Sequence, residues 1–295
     1  MWSINLIVNK LMKAYEEKFE GAAGNDFNFI EAYSIKQPKD EDQCKKSAVS
    51  NFIEVPHINQ EHTWDCGLAC VIMVLRALGV YDCNIQELEE LCCTTSVPFV
   101  ILIRDGIWTV DLAYLLQKFS VSFTYCTVTL GANPDFSVET FYKKDQLPND
   151  LIRVNMLFQE ARESGILIEC RSVSATEISG LILSGNYVVI ALVDQYKLSH
   201  SGLEDVCVSD FYGVSPGYTG HYVVICGYDA VTNEFEIRDP ASLMKHERVS
   251  SWSLEQAHKS FGTDEDLILI EVGSHYFTEG NYPSYPSNNY DQAPL

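Results

Sequence analysis

The segment Gln60-Glu61-His62-Thr63-Trp64-Asp65-Cys66-Gly67-Leu68-Ala69-Cys70 decides how the rest of the chain is read. A polar loop runs directly into an apolar stretch, Gly67 to Leu78, that Gly79 closes, so the spacing predicts a helix with Cys66 at its threshold. Unpaired N–H groups and the helix dipole at that threshold favour an anion, and therefore the thiolate form of a cysteine. Gly67 lacks a side chain and is expected to let a substrate backbone come close. Gln60 sits upstream on the same loop, and its amide N–H₂ is a candidate donor to an oxyanion formed beside Cys66.

A thiolate nucleophile needs a base and a group to orient that base. Gly220-His221-Tyr222-Val223-Val224-Ile225 reads as a strand headed by histidine, and Ile237-Arg238-Asp239-Pro240 ends the next strand on a carboxylate. Two adjacent antiparallel strands can set imidazole and carboxylate side by side, fixing the tautomer so that the free nitrogen serves the thiol. The candidate catalytic residues are Cys66, His221, Asp239 and Gln60.

Around these motifs, helices are expected over Ile85–Leu91, Ile107–Phe119 and Asp150–Glu163, with strands over Phe52–Ile58 and Val121–Val128. The second half turns to strands at Ile166–Cys170, Tyr187–Val193, His221–Tyr228, Glu234–Arg238 and Leu267–Glu271. Only short helices interrupt them, at Ala175–Leu183 and Leu254–Phe261. Helices followed by strands imply an α+β fold, a helical lobe packed on a mainly antiparallel sheet with the site between the lobes.

The chain has 295 residues, 46% hydrophobic and 21% charged, which is enough apolar material for a core and excludes wholesale disorder. Twenty Lys and Arg stand against 41 Asp and Glu, so the net charge of −21 repels polyanions and argues against nucleic acid as a partner. The ten cysteines read as reduced thiols, because the chain is long for a disulfide scaffold and its start lacks a signal-peptide pattern. A cytoplasmic or nuclear location and no membrane span are the expectations.

Four segments are expected. Residues 1–20 space Ile4, Ile7, Val8, Leu11, Met12 and Tyr15 as an amphipathic helix, and 21–50 form a flexible connection. Residues 51–273 form one domain, and the Pro-, Tyr- and Asn-rich 274–295 a disordered tail. The helix and tail are the places where a protein partner would bind.

Gln60 with Asp65-Cys66-Gly67, Gly220-His221-Tyr222-Val223-Val224 and Asp239-Pro240-Ala241 resemble the papain-like peptidases that process double-glycine leader peptides. That resemblance, over about Val55 to Glu271, implies a papain-like fold with Cys66 as nucleophile, His221 as general base and acid, Asp239 as orienter and Gln60 as oxyanion donor. A closer resemblance covers nearly the whole chain. Val55-Pro56-His57-Ile58-Asn59-Gln60 through Cys70, Gly106 to Ala113, Phe123 to Gly131 and Gly220-His221-Tyr222 are similar to the plant soluble guanylyl cyclase family. It implies conversion of GTP to cyclic GMP and pyrophosphate with Mg²⁺ or Mn²⁺.

The residues themselves add little to that activity. There is no G-x-x-x-x-G-K-[ST] loop for phosphates, and no carboxylate pair that spacing marks as a metal site. Ser122-Phe123-Thr124 fits the start of a degenerate cyclase-centre pattern, but Tyr125 replaces an aliphatic residue and a packed strand explains the segment better. Lys143, Lys144 and Arg153 are the bases at hand for a triphosphate. His57, His62, Cys66 and Cys70 lack the paired spacing of a zinc site, and Cys92-Cys93 fits helix-end packing. Glu204, Asp205 and Asp210 fall in a long segment before His221, as acidic surface, a lid or a Mg²⁺ site. Three functions are therefore open: a guanylyl cyclase, a thiol hydrolase or peptidase built on Cys66, and a silent interaction protein on a peptidase fold.

Overall fold

The computed structural model describes residues 49–93, 107–135, 147–199 and 218–273. The N-terminal helix, most of the 21–50 connection, the 274–295 tail, Lys143, Lys144, Glu204, Asp205 and Asp210 lie outside the described residues.

The chain order is β1 (Ser50–Phe52), α1 (Cys66–Ala77), α2 (Ile85–Cys93), α3 (Thr109–Lys118), β2 (Phe123–Thr127), α4 (Leu147–Glu160) and β3 (Ile168–Cys170). There follow α5 (Ala175–Leu183), β4 (Tyr187–Asp194), α6 (Gln195–Ser199), β5 (Gly220–Asp229), β6 (Glu234–Arg238), β7 (Glu247–Ser250), α7 (Ser251–His258) and β8 (Leu267–Glu271). Local chemistry sets several of these ends. Gly79 and Gly165 take positive φ just past α1 and α4, and Ser174 and Ser250 cap α5 and α7 by accepting from Glu177 N and Ser253 N.

The strands form one sheet in the order β3-β2-β8-β4-β5-β6-β7, with β1 added to the far end of β5. The β2–β3 pair is parallel, the two being joined through α4, and the other pairs are antiparallel. The α+β class with helices packed on a mainly antiparallel sheet is as expected, and β2 from the helical first half joins that same sheet. The C-terminal strand β8 returns to lie between β2 and β4, hydrogen-bonding both.

Residues alternate along β4 and β5 between two cores. Val188, Ile190, Leu192, Tyr222 and Val224 pack under the helices of the first half, while Val189, Ala191, Val193, Val223 and Ile225 pack against α5 and α7. Both faces are covered, which is why Tyr187–Asp194 reads as a continuous apolar run instead of an alternating one. Helix α1 is buried from Cys66 to Leu75 and is the central helix of the first layer.

Two expected elements are displaced, and two others are not announced by the sequence. The strand expected over Phe52–Ile58 is Ser50–Phe52 instead, because beyond Ile53 the chain leaves β5 and crosses the end of β6. Helix α7 begins at Ser251, not Leu254, since Ser250 supplies the cap. Strand β7 and helix α6 carry no sequence period; β7, in Glu-Arg-Val-Ser, exists through its pairing with β6. Where β1 crosses β5, a Cβ on Gly227 would fall 2.2 Å from the Phe52 ring, so only glycine fits there.

Candidate active site

Cys66 is the first residue of α1, and His221 is the second of β5, the strand with which α1 packs. Asp239 follows the last residue of β6, the strand hydrogen-bonded to β5. The tertiary fold thus gathers three residues that are far apart in sequence. His221 Nε2 meets Asp239 Oδ1 at 2.7 Å in a buried pair, 4% and 13% exposed at the side chains. With Nε2 committed to the carboxylate, Nδ1 is the ring nitrogen left for the Cys66 thiol, which is near enough to help raise the ring's titration. This is the layout expected of the papain-like arrangement: thiol at a helix start, imidazole at a strand start, carboxylate at the end of the next strand.

Charge in this cluster is coupled. Burial favours the neutral imidazole of His221, yet the hydrogen bonds and charges of Asp239 and Cys66 prevail and push the ring up to about 9. Burial would raise the Asp239 carboxyl, but His221, the Ala241 N–H and His57 hold it below the usual range. The ring therefore stays protonated at neutral pH, the form that pairs with a thiolate. Cys70, one helical turn on, is driven well above the ordinary thiol range, first by burial and then by the charges of Cys66 and Asp239.

A stability profile follows from these signs. His221 is raised when folded, so its contribution is complete below about pH 6.5 and vanishes as pH climbs to about 9; Asp239 is lowered, so its contribution vanishes as pH falls through its folded value. Unfolding free energies measured from pH 6 to 9.5 are expected to show the wild type losing about 3 kcal/mol more than His221→Gln. Parallel curves for the two proteins would refute the coupling.

Asp65 precedes Cys66 and is fully buried. It does not cap α1. Its carboxylate turns back and accepts from the main-chain N–H groups of Glu61, at 3.2 Å, and His62, at 3.0 and 3.1 Å, and contacts His62 Nδ1 at 3.2 Å. The loop is thereby folded on itself, and the first-turn N–H groups of α1 receive no cap from the Asp65 side chain. Gln60 lies on this loop: its Nε2 donates to the His62 carbonyl at 2.6 Å, leaving one amide hydrogen for the expected oxyanion role. Its main-chain N donates to Pro240 O at 3.0 Å, which brings the loop alongside Asp239.

Other sequence candidates are placed differently. Gly67 faces the core: a Cβ there would lie 3.0 Å from Leu112 and 3.1 Å from Tyr222. The close approach it permits is therefore that of α3 and β5, not of a substrate. Arg153 forms a two-pronged ion pair with Asp111, joining α4 to α3. Ser122-Phe123-Thr124 leads into and lies along β2, whose backbone is occupied by β8, and Ser122 Oγ donates to Glu271 at 2.9 Å. His57 and His62 are engaged by Asp239 O and Asp65, and among the described residues no group of three or more His, Cys, Asp or Glu side chains is arranged to hold a metal ion. Those residues thus offer no ready donor set for zinc, or for the Mg²⁺ or Mn²⁺ that the cyclase resemblance implies. None of the seven cysteines with described side chains, Cys66 included, is in a disulfide. Among the described residues no helix is long and apolar enough to cross a membrane.

Sequence reasoning missed Asp65 and His57 as parts of this site. Asp65 has the form of an ordinary N-cap, and His57 bonds a main-chain carbonyl 182 residues away, for which no local signal exists.

Comparison with known proteins adds kinship. Residues 55–270 match the family model described as guanylylate cyclase. Guanylyl cyclase 1 of Arabidopsis thaliana is 55% identical over 277 residues, 92% of this chain and 97% of that protein. Among solved structures, similarity extends to a Bacillus anthracis protein described as a C39-like peptidase, with 15% identity and a TM-score of 0.43 over 75% of this chain and 96% of that one. It extends also to the peptidase domain of Streptococcus ComA, with 15% identity and a TM-score of 0.38 over 74% and 98%. The family match across residues 55–270 and the 55% identity along almost the full length of both chains make this protein a member of the guanylylate cyclase family.

Proposed function

We propose that this protein is a guanylyl cyclase that converts GTP, supplied as its Mg²⁺ or Mn²⁺ complex, to 3′,5′-cyclic GMP and pyrophosphate. The observation that carries this reading is the 55% identity, over 97% of its length, with the Arabidopsis protein named Guanylyl cyclase 1. In the reaction the ribose 3′-hydroxyl attacks the α-phosphorus, its proton passes to a base, and the bond to pyrophosphate breaks. Delivery of the triphosphate with a divalent ion also reduces the repulsion from a chain of net charge −21.

The test is mass-spectrometric detection of cyclic GMP from purified full-length protein with GTP and either metal, for wild type, Cys66→Ala and His221→Ala. Wild-type product above a heat-killed control supports the proposal, and none overturns it. Equal product in all three would put the cyclase centre away from Cys66, whereas loss in two folded variants would put it there.

The Cys66–His221–Asp239 geometry favours a second reading, acyl transfer on a thiol. Cys66 Sγ attacks a carbonyl carbon, and the oxyanion draws on first-turn N–H groups of α1 and the remaining Gln60 hydrogen. His221 Nδ1 protonates the leaving group, and water, deprotonated by the same nitrogen, then releases the acyl group from sulfur.

A further inference from the structure

Residues 55–60 lie against residues 238–242 as a strap. Arg238 Nε donates to Val55 O at 2.8 Å, and Asn59 Nδ2 donates to Pro240 O at 3.2 Å and Ser242 O at 2.8 Å. In the middle, His57 Nε2 lies 2.8 Å from the main-chain oxygen of Asp239. A carbonyl only accepts, so His57 must carry its proton on Nε2. The bond fixes the backbone of the residue whose carboxylate holds His221, while Ala241 N donates to Asp239 Oδ1 at 2.8 Å and steadies the same oxygen.

We infer that His57 is a positioning residue, which holds the Asp239 main chain so that its carboxylate stays on His221 Nε2 and keeps the ring protonated for Cys66. The inference rests on the thiol reading. His221 is faced by Asp239 from the end of β6 and by Cys66 from α1, and behind Asp239 stand Cys70 of α1 and His57 of the strap. Two effects of removing His57 have opposite signs. Loss of the coulombic pull that His57 exerts at Asp239 would raise the His221 titration midpoint. Loss of the backbone anchor lengthens the Asp239 contact and lowers it.

The experiment is an NMR titration of the His221 ring, with the pH dependence of Cys66 alkylation, in wild-type protein, His57→Phe and His57→Gln. The expected result is a fall of about one pH unit in His57→Phe, tenfold in the ionisation constant, with recovery of at least half in His57→Gln, whose amide also donates. An unchanged or raised midpoint in His57→Phe overturns the inference. A wild-type midpoint near 6.5 overturns the thiol reading itself and is thereby distinguished. Should His57→Phe not fold, the wild-type ¹⁵N spectrum decides: an Nε2–H tautomer is expected, and an Nδ1–H tautomer refutes the anchor.

Discussion

Substitution of His221 by alanine is expected to slow alkylation of Cys66 by iodoacetamide about 100-fold at pH 6. A protonated imidazole beside a sulfur favours the nucleophilic thiolate form, and alanine removes that partner. The ring is suited to that role, since Asp239 and Cys66 together keep it protonated up to about 9. Asp239→Asn should have a smaller effect, about tenfold, because the amide keeps a bond to Nε2 without the charge.

The other thiols serve as internal controls. Burial pushes Cys126 up to about 11 and Cys226 up to about 12, so both should be slow in every variant. Cys170 is exposed and Cys92 half-buried, so both should react at a rate indifferent to His221. Peptide-resolved mass spectrometry after timed alkylation gives every rate in one experiment. A Cys66 rate that follows the ordinary thiol curve, unchanged in His221→Ala, would remove the thiol reading and leave the buried pair as a structural feature.

Asp65→Ala is expected to cost about 3 kcal/mol, a fall of about 10 °C in Tm for a domain of this size. The carboxylate is wholly buried and accepts from two main-chain N–H groups, and alanine would leave both without acceptors while the loop must stay folded against Asp239 and Pro240. Asp65→Asn keeps one acceptor oxygen and should lose about half as much. Thermal unfolding by circular dichroism measures both. The Cys66 alkylation rate should change with the loop, because its N–H groups and Gln60 move with it. An Asp65→Ala protein melting within about 1 °C of wild type would show that solvent replaces the carboxylate without cost.

Much of the second half of the fold is legible in the sequence for a simple reason. Tyr187–Asp194, Glu234–Arg238 and Leu267–Glu271 are dense in β-branched and aromatic residues, and the runs are bounded by turn residues. The ends of α1 were equally clear, since an apolar run between Asp65 and Gly79 has only one helical reading. Strand β7 was not legible, because a polar tetrapeptide becomes a strand only when β6 offers it a ladder. Gly67 was misjudged for a related reason: glycine announces a close approach but not by whom, and the partners, Leu112 and Tyr222, lie 45 and 155 residues away in the chain.

The sequence by itself determined the α+β class, a thiol at the start of a buried helix, and histidine and aspartate at the ends of neighbouring strands. Each depends on patterns read over four to a dozen adjacent residues, where side-chain period and capping chemistry act directly. Only the tertiary structure decided that β8 lies between β2 and β4, that His221 gives Nε2 to Asp239, and that Asp65 folds the loop instead of capping the helix. Those outcomes depend on packing and hydrogen bonds whose partners and angles are fixed once the sheet and helices have assembled, so no local run of residues encodes them.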